Sequence, residues 1–337
     1  MNHSKFMTAM CDEVRRQGGE HIYYSVVTLE QPAEGEGLYH MEKVDFQPGN
    51  PGHDCYSTAK AITSIAVGIL YDRGLLKPAD KLGKYLSSYM IEGTDPKWGD
   101  LTLHQVMRHR TGAEYGIDFD NTNAHLWKDP EWLHTLFAVP IVGEPEERFV
   151  YSDGSYYIIG RVVEEITGMD LELFMQREVF VPLGCHVNAW SRDVNGHTVG
   201  GTGLYFRTED LAKIGWLWAN EGMWGDRRIY SKEWSDLFVN YQKDGVADYG
   251  YGICRITDGV IAGGGMYGQG VCADLNRKRV VAFHCFDPHG KTSGLNGFCA
   301  GLKDCNTDIW AWCTKTMPFF CTELPPSPNR KNFQKTC

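Results

Sequence analysis

Two residues one helical turn apart carry the strongest chemical signal in the chain. In CYSTAKAITSIAVGIL, Ser57 and Lys60 stand three positions apart. On a helix that spacing puts both side chains on one face, with Cβ atoms roughly 5 to 6 Å apart. A serine hydroxyl is a weak nucleophile until a base takes its proton, and a lysine is that base where desolvation or a neighbouring cation favours its neutral form. At a helix amino terminus the backbone N–H of Ser57 also faces the position of a developing oxyanion. Ser-x-x-Lys fixes two residues in four, so a chance match competes with the catalytic reading. Context weighs against chance: the pair follows a Gly/Pro-rich break, PGNPGHD (48–54), and opens an apolar helix. The hydroxyl is therefore expected to project from a helix end into a cleft.

Other chemistry-bearing residues do not assemble into motifs. His53, His104, His125, His284 and His289 lack metal-ligand spacing. Cys299, Cys305, Cys313 and Cys321 crowd the carboxyl end without a CxxC pair. No metal and no organic cofactor is expected. The pairs Glu146/Glu147 and Glu164/Glu165 read as solvated charge on helix faces. Gly263 to Gly270 lacks the Lys-Ser/Thr ending of a phosphate loop, and KTSG (291–294) follows the last strand instead of opening a hairpin.

The elements that must position Ser57 and Lys60 follow from periodicity. Residues 4–17 form an amphipathic helix, and 21–30 and 37–46 are β-rich runs joined as a hairpin. Ser57 to Asp72 is a helix stopped at Gly74. Helical segments dominate 75–245, among them LTLHQVMRHRTG, SYYIIGRVVEEITG and TEDLAKIGWLWANEG. Strands return in YGYGICRI, MYGQGVCADL and RVVAFHCF, and a helix is expected over Leu302 to Thr316 before a Pro-rich tail. Strands at both ends with helices between them give an α/β (α+β) class: an antiparallel sheet flanked by terminal helices, with an inserted, mostly helical lobe. The expected division is a discontinuous sheet-plus-helix lobe from 1–74 and 246–320, a helical lobe from 75–245 and a tail from 321–337, together one catalytic unit. A cleft between two such lobes is where a ligand is expected.

Composition narrows the partners. The chain has 337 residues, is 42% hydrophobic and carries a formal charge of -10, a balance that disfavours nucleic acid and anionic lipid surfaces. No apolar run reaches the roughly 20 residues of a transmembrane helix. The amino-terminal segment lacks the apolar stretch of a secretory signal. The expectation is a soluble, cytoplasmic protein whose 11 cysteines are reduced.

Several separated segments, in order, resemble the β-lactamase-related serine hydrolases, the group of class C β-lactamases, D-aminopeptidases and carboxylesterases with the penicillin-binding-protein-like transpeptidase fold. STAKAITSIAVGILYDRGLLKPADKLGKYL is similar to the family's nucleophile helix and following loop. LTLHQVMRHRTG is similar to the helix that ends in a turn, here His109 to Gly112. ERFVYSDGSYYIIGRVVEEITG holds the second active-site box, and VGGTGLYFRTEDLAKIG resembles the glycine loop.

The resemblance implies Ser57 as nucleophile and Lys60 as base, with Tyr151 as co-base. It implies backbone N–H groups of Ser57 and Gln269 as oxyanion donors, and Asp153, Met266, Tyr267 and Gly268 as substrate-binding residues. Asp153 departs from the usual asparagine. It is expected to favour a substrate ammonium or hydroxyl, to hold Lys60 charged, or merely to cap a helix starting near Ser155. Met266-Tyr267-Gly268 stands where the family carries a cationic third box, so a carboxylate clamp is missing. Trp190, Tyr205 and Tyr267 are candidates for an acyl pocket. The implied activity is hydrolysis of a small, neutral or cationic ester or amide through an acyl-enzyme, with β-lactam cleavage ranked lower. Acyl transfer, and a binding module that keeps the fold without catalysis, are the alternatives.

Overall fold

The structure, a computed structural model, describes residues 3–48, 52–119, 129–186, 188–240 and 249–288. The KTSG segment, the expected helix over 302–316, the carboxyl-terminal cysteines and the Pro-rich tail lie outside the described residues. So do His125 and His289.

Strands β1 (Tyr23–Glu30) and β2 (His40–Asp45) form the expected hairpin. They are followed by β3 (Gly52–Asp54), β4 (Ala189–Trp190), β5 (Leu204–Arg207), β6 (Met223–Trp224), β7 (Arg227–Arg228), β8 (Tyr249–Gly250), β9 (Ile253–Thr257), β10 (Val260–Gly265), β11 (Gln269–Asp274) and β12 (Arg279–Cys285). The main sheet has seven strands in the order β2-β1-β12-β11-β10-β9-β8. Its pairings are antiparallel, and β1 lies beside β12 with Val27 opposite Ala282. The amino-terminal hairpin thus completes a sheet whose other strands come from the end of the described chain.

The helices are α1 (Lys5–Arg16), α2 (Ala59–Asp72), α3 (Gly83–Leu86), α4 (Leu103–Met107), α5 (Trp132–Phe137), α6 (Asp153–Thr167), α7 (Leu171–Met175), α8 (Thr208–Ala219) and α9 (Lys232–Asn240). Both faces of the sheet are covered. Met7, Met10, Cys11 and Val14 of α1 pack with Val26, Val281 and Phe283 on one side. On the other, Val271 and Val280 press so closely on Gly215 of α8 that a Cβ there would come within 2.6 Å of each. Covering both faces explains why β1 and β12 are nearly continuous hydrophobic runs instead of alternating ones. Although α8 falls within 75–245, it packs on the sheet.

Twelve of the 14 residues of α2 are buried, the pattern of a helix enclosed on all sides. Its neighbours are α6 and α7, and the Tyr251–Gly252 turn joining β8 to β9. Ser64 Oγ donates to the Tyr251 carbonyl at 2.8 Å, and Gly252, at φ +83°, lies so close that a Cβ would sit 2.2 Å from the Ala61 nitrogen. Only glycine serves there, since it accepts both the positive φ and the close approach.

A second, three-stranded sheet in the order β3-β5-β4 was not expected. Gly52–Asp54 lies in what reads as a Gly/Pro-rich break, yet it pairs with Tyr205–Arg207. Three residues are too few for periodicity to reveal a strand. This small sheet delivers the chain to Ser57. No helix among the described residues is long and apolar enough to cross a membrane.

Candidate active site

Ser57 sits in a single 3₁₀ turn, Tyr56–Thr58, that leads directly into α2. The turn is held from three sides. The Cys55 N–H donates to the Leu204 carbonyl at 2.8 Å, and Asp54 Oδ1 accepts from the Tyr56 N–H at 2.7 Å. Behind it, Cys55 Sγ lies 3.6 Å from His284 Nε2, whose Nδ1 meets Thr208 Oγ1 at 2.9 Å. Thr208 in turn meets Ser25 on β1. Sheet, α8 and the Ser57 turn are thereby linked through buried polar groups, whose hydrogen bonds offset their desolvation.

The expected pair is formed. Lys60 Nζ donates to Ser57 Oγ at 3.1 Å; Ser57 is half-buried and Lys60 wholly buried. The hydroxyl thus faces the accessible side and the amine stands behind it. Lys60 also donates to the Gly201 carbonyl at 2.8 Å and to Asp153 Oδ1. Gly201 is required to be small, because a Cβ there would lie 2.7 Å from the Asp153 carbonyl oxygen. The glycines of VGGTGLYF are the sequence signal for this contact.

Tyr151 is half-buried and meets Lys60 through its ring face, 4.6 Å from Nζ to the centroid, a cation–π contact. Its ring also lies 4.6 Å from that of His109. His109 is fully buried at φ +57°, and burial, aided by the Lys60 charge, holds its imidazole well below the usual histidine range. It is therefore a neutral ring packed behind Tyr151. Sequence reading placed His109 only in a turn and missed this role.

Asp153 does not cap a helix starting near Ser155. It is the first residue of α6, Ser152 is the N-cap, and the carboxylate turns inward to accept from Lys60 and from the Phe119 N–H at 3.1 Å. The ammonium is a stronger partner than a helix N–H, so the carboxylate goes to the charge. Asp54 stands nearby. Burial, with a smaller push from the Asp153 charge, raises its carboxyl to about 6.

The strand beside the Ser57 turn is β10. Met266-Tyr267-Gly268 is not on it: these residues form a 3₁₀ turn after the strand, and Gly263–Gly265 are its last three residues. A Cβ on Gly265 would lie 2.2 Å from the Cys55 carbonyl oxygen, so the glycine run lets the strand seat against the turn without side chains between. Gln269 stands opposite Gly265 on β11. Its buried side chain accepts from the Cys285 N–H at 3.1 Å and donates to the Cys285 carbonyl, tying β11 to β12.

Aromatic residues border the site on this side. Tyr56 and Tyr267 are both held at positive φ, +46° and +62°, and their rings meet edge to face at 5.2 Å. Left-handed backbone at a bulky residue costs of order 1 to 3 kcal/mol and persists where surroundings enforce it. The Phe286 ring lies tilted against that of Tyr267 at 4.8 Å, and Phe286, Tyr205 and Met266 are exposed. Trp190 is not part of this border. It is buried, its Nε1 donating to the Val199 carbonyl at 2.8 Å and its ring 6.4 Å from that of Phe180, and it belongs to the core.

Among the described residues, no group of three or more His, Cys, Asp or Glu is arranged to hold a metal ion.

With this geometry in place, comparison with known proteins assigns the family. A sequence model of the Beta-lactamase family matches residues 51–296, and the chain belongs to that family. Penicillin-binding protein 4* of Bacillus subtilis (strain 168) is 22% identical over 243 residues, covering 66% of this chain and 49% of that protein. The chain spans about half the length of the curated relatives it matches. Among solved structures, the octameric penicillin-binding protein homologue from Pyrococcus abyssi superposes with a TM-score of 0.63 at 18% identity, covering 89% of this chain and 77% of that one. EstCE1, described as a hydrolase with promiscuous acyltransferase activity, superposes with a TM-score of 0.64 at 14% identity, covering 87% and 97%. The α+β class and the antiparallel sheet flanked by helices are those of this fold.

Proposed function

We propose that the protein is a serine hydrolase that cleaves a small ester or amide through an acyl-enzyme on Ser57. The observation that carries this reading is the 3.1 Å contact between a half-buried serine hydroxyl and a wholly buried lysine amine, since nucleophile and base must be within hydrogen-bond reach. Ser57 attacks the substrate carbonyl, and Lys60, steadied by the Tyr151 ring, takes its proton and passes it to the leaving group. The oxyanion is received by the N–H of Ser57 and by an N–H of the turn after β10. Gly265 pressed against Cys55 supports the Met266 N–H for that second donor over the N–H of Gln269, which stands one strand further away on β11. Water then releases the acid.

Tyr56, Tyr205, Met266, Tyr267 and Phe286 favour a substrate with an apolar or aromatic group beside the scissile bond. Asp153, engaged by Lys60 and Phe119, is withdrawn from direct recognition of a substrate ammonium.

Intact mass spectrometry after exposure to a fluorophosphonate tests the assignment. One adduct on the wild type and none on Ser57→Ala is expected; equal adducts on both would remove Ser57 as nucleophile. Adding alcohol or amine acceptors to a reporter-ester assay separates hydrolysis from acyl transfer by the product formed.

A further inference from the structure

Lys60 Nζ donates to three acceptors at once: Ser57 Oγ, the Gly201 carbonyl and Asp153 Oδ1. An ammonium has three N–H groups and no lone pair. In this arrangement Lys60 grips the serine oxygen but has nothing with which to take its proton. A proton must first leave Nζ, and the side chain is wholly buried. Among the described contacts, the one carboxylate that touches it is Asp153. The Asp153 carboxylate is itself fixed: Oδ2 accepts the Phe119 N–H at 3.1 Å, and the residue opens α6 and is buried. The remaining titratable neighbours are less suited. Asp54 is occupied by the Tyr56 N–H, Tyr151 presents its ring face to Nζ at 4.6 Å, and burial, aided by the Lys60 charge, keeps the His109 imidazole from taking up a proton.

We propose that Asp153 is the terminal proton acceptor of acylation, taking a proton from Lys60 so that Lys60 can take one from Ser57. The proposal rests on the assignment of Ser57 as nucleophile and goes beyond it by stating where the proton is held.

One Nζ–H proton passes to Oδ1, leaving a neutral amine and a neutral acid. A third of a turn about Cε–Nζ then brings the lone pair onto Ser57 Oγ and leaves two N–H groups for the Gly201 carbonyl and Asp153. As Oγ bonds to the carbonyl carbon, its proton moves to Nζ and the carbonyl π pair becomes the oxyanion. When the adduct collapses, the bond to the leaving group breaks and that group takes a proton from Nζ. The Asp153 proton returns to Nζ, restoring the ion pair. The net transfer is one proton from Ser57 to the leaving group.

The test is pre-steady-state acylation by a reporter ester as a function of pH, for the wild type and Asp153→Asn. The variant keeps the side-chain shape but cannot take a proton. Its acylation rate is expected to fall on the order of 100-fold, the scale of general-base catalysis. Because Lys60 in the variant must lose its proton to bulk solvent, the variant rate is expected to climb with pH over a range where the wild-type rate is flat. Activity within threefold of wild type, or a rise, would overturn the proposal, because the carboxylate would then only restrain the ammonium. Identical pH profiles for the two proteins would overturn it too, as would a large loss in Tyr151→Phe with Asp153→Asn intact. If Asp153→Asn does not fold, Asp153→Glu keeps a proton acceptor and must keep the wild-type profile; its loss there counts against the relay. Fluorophosphonate labelling of the wild type at a residue other than Ser57 would instead defeat the underlying nucleophile assignment.

Discussion

Replacing Gly265 by alanine probes how tightly β10 is seated against the nucleophile turn. Gly265 has φ −130°, extended backbone that alanine adopts freely, so any effect is steric. The added Cβ would meet the Cys55 carbonyl oxygen at 2.2 Å and Tyr56 Cβ at 3.1 Å. A normal carbon–oxygen approach is about 3.3 Å, so strand and turn must separate by about 1 Å. The atom in the way is backbone, fixed by the Cys55 N–H bond to Leu204 and by His284 behind it, so it cannot swing aside. Overpacking of this kind costs about 1 to 3 kcal/mol, and a displacement of about 1 Å at reacting groups costs on the order of 100-fold in rate. The expected result is a lowered kcat/KM for a reporter ester, carried mainly in kcat, with a modest fall in Tm. The reasoning is refuted if Gly265→Ala keeps kcat/KM within threefold and melts at the wild-type temperature.

Two further outcomes concern pH. Burial drives the His284 imidazole from 6.5 to about 3. The stability it contributes is therefore present above 6.5 and drains away as pH falls toward 3, a ceiling of roughly 5 kcal/mol. His284→Gln should lose about 3 kcal/mol less than the wild type between pH 7 and pH 4 in urea titrations; an unchanged slope would contradict the burial argument. Asp54 has the opposite sign. Its carboxyl is raised from 3.8 to about 6, so its favourable contribution is complete below 3.8 and disappears as pH rises through 6. After allowance for partial exposure this amounts to about 2 kcal/mol. Asp54→Asn still accepts the Tyr56 N–H. It should be more stable than the wild type at pH 8 and flatter between pH 4 and 7, and a less stable variant at pH 8 would count against it.

The parts of the site that were legible in the sequence are those made by local geometry. Ser57 and Lys60 are neighbours because a helix makes them so, and the β1–β2 hairpin is visible because eight and six residues of β-rich pattern bracket a turn. What was obscure depends on distant chain. Gly263–Gly265 look like loop residues until Cys55 and Tyr56 are known to lie against them. Gly52–Asp54 reads as a break because its partner strand lies some 150 residues later. The inward turn of Asp153 follows from a buried ammonium 93 positions away, which no capping rule contains. Trp190 could not be told from a pocket residue, since an indole packs equally well in either setting.

The seam between β1 and β12 also bears on when the protein can act. Leu29 pairs with Val280, so the chain must be synthesised through β12 before the sheet closes. The Cys55–His284 contact and the seat for the nucleophile turn arrive with the same final strands. Long-range pairing of this kind forms late. A nascent chain on the ribosome therefore carries Ser57 and Lys60 before the strands that seat them exist, and the site stays unassembled until β12 has emerged.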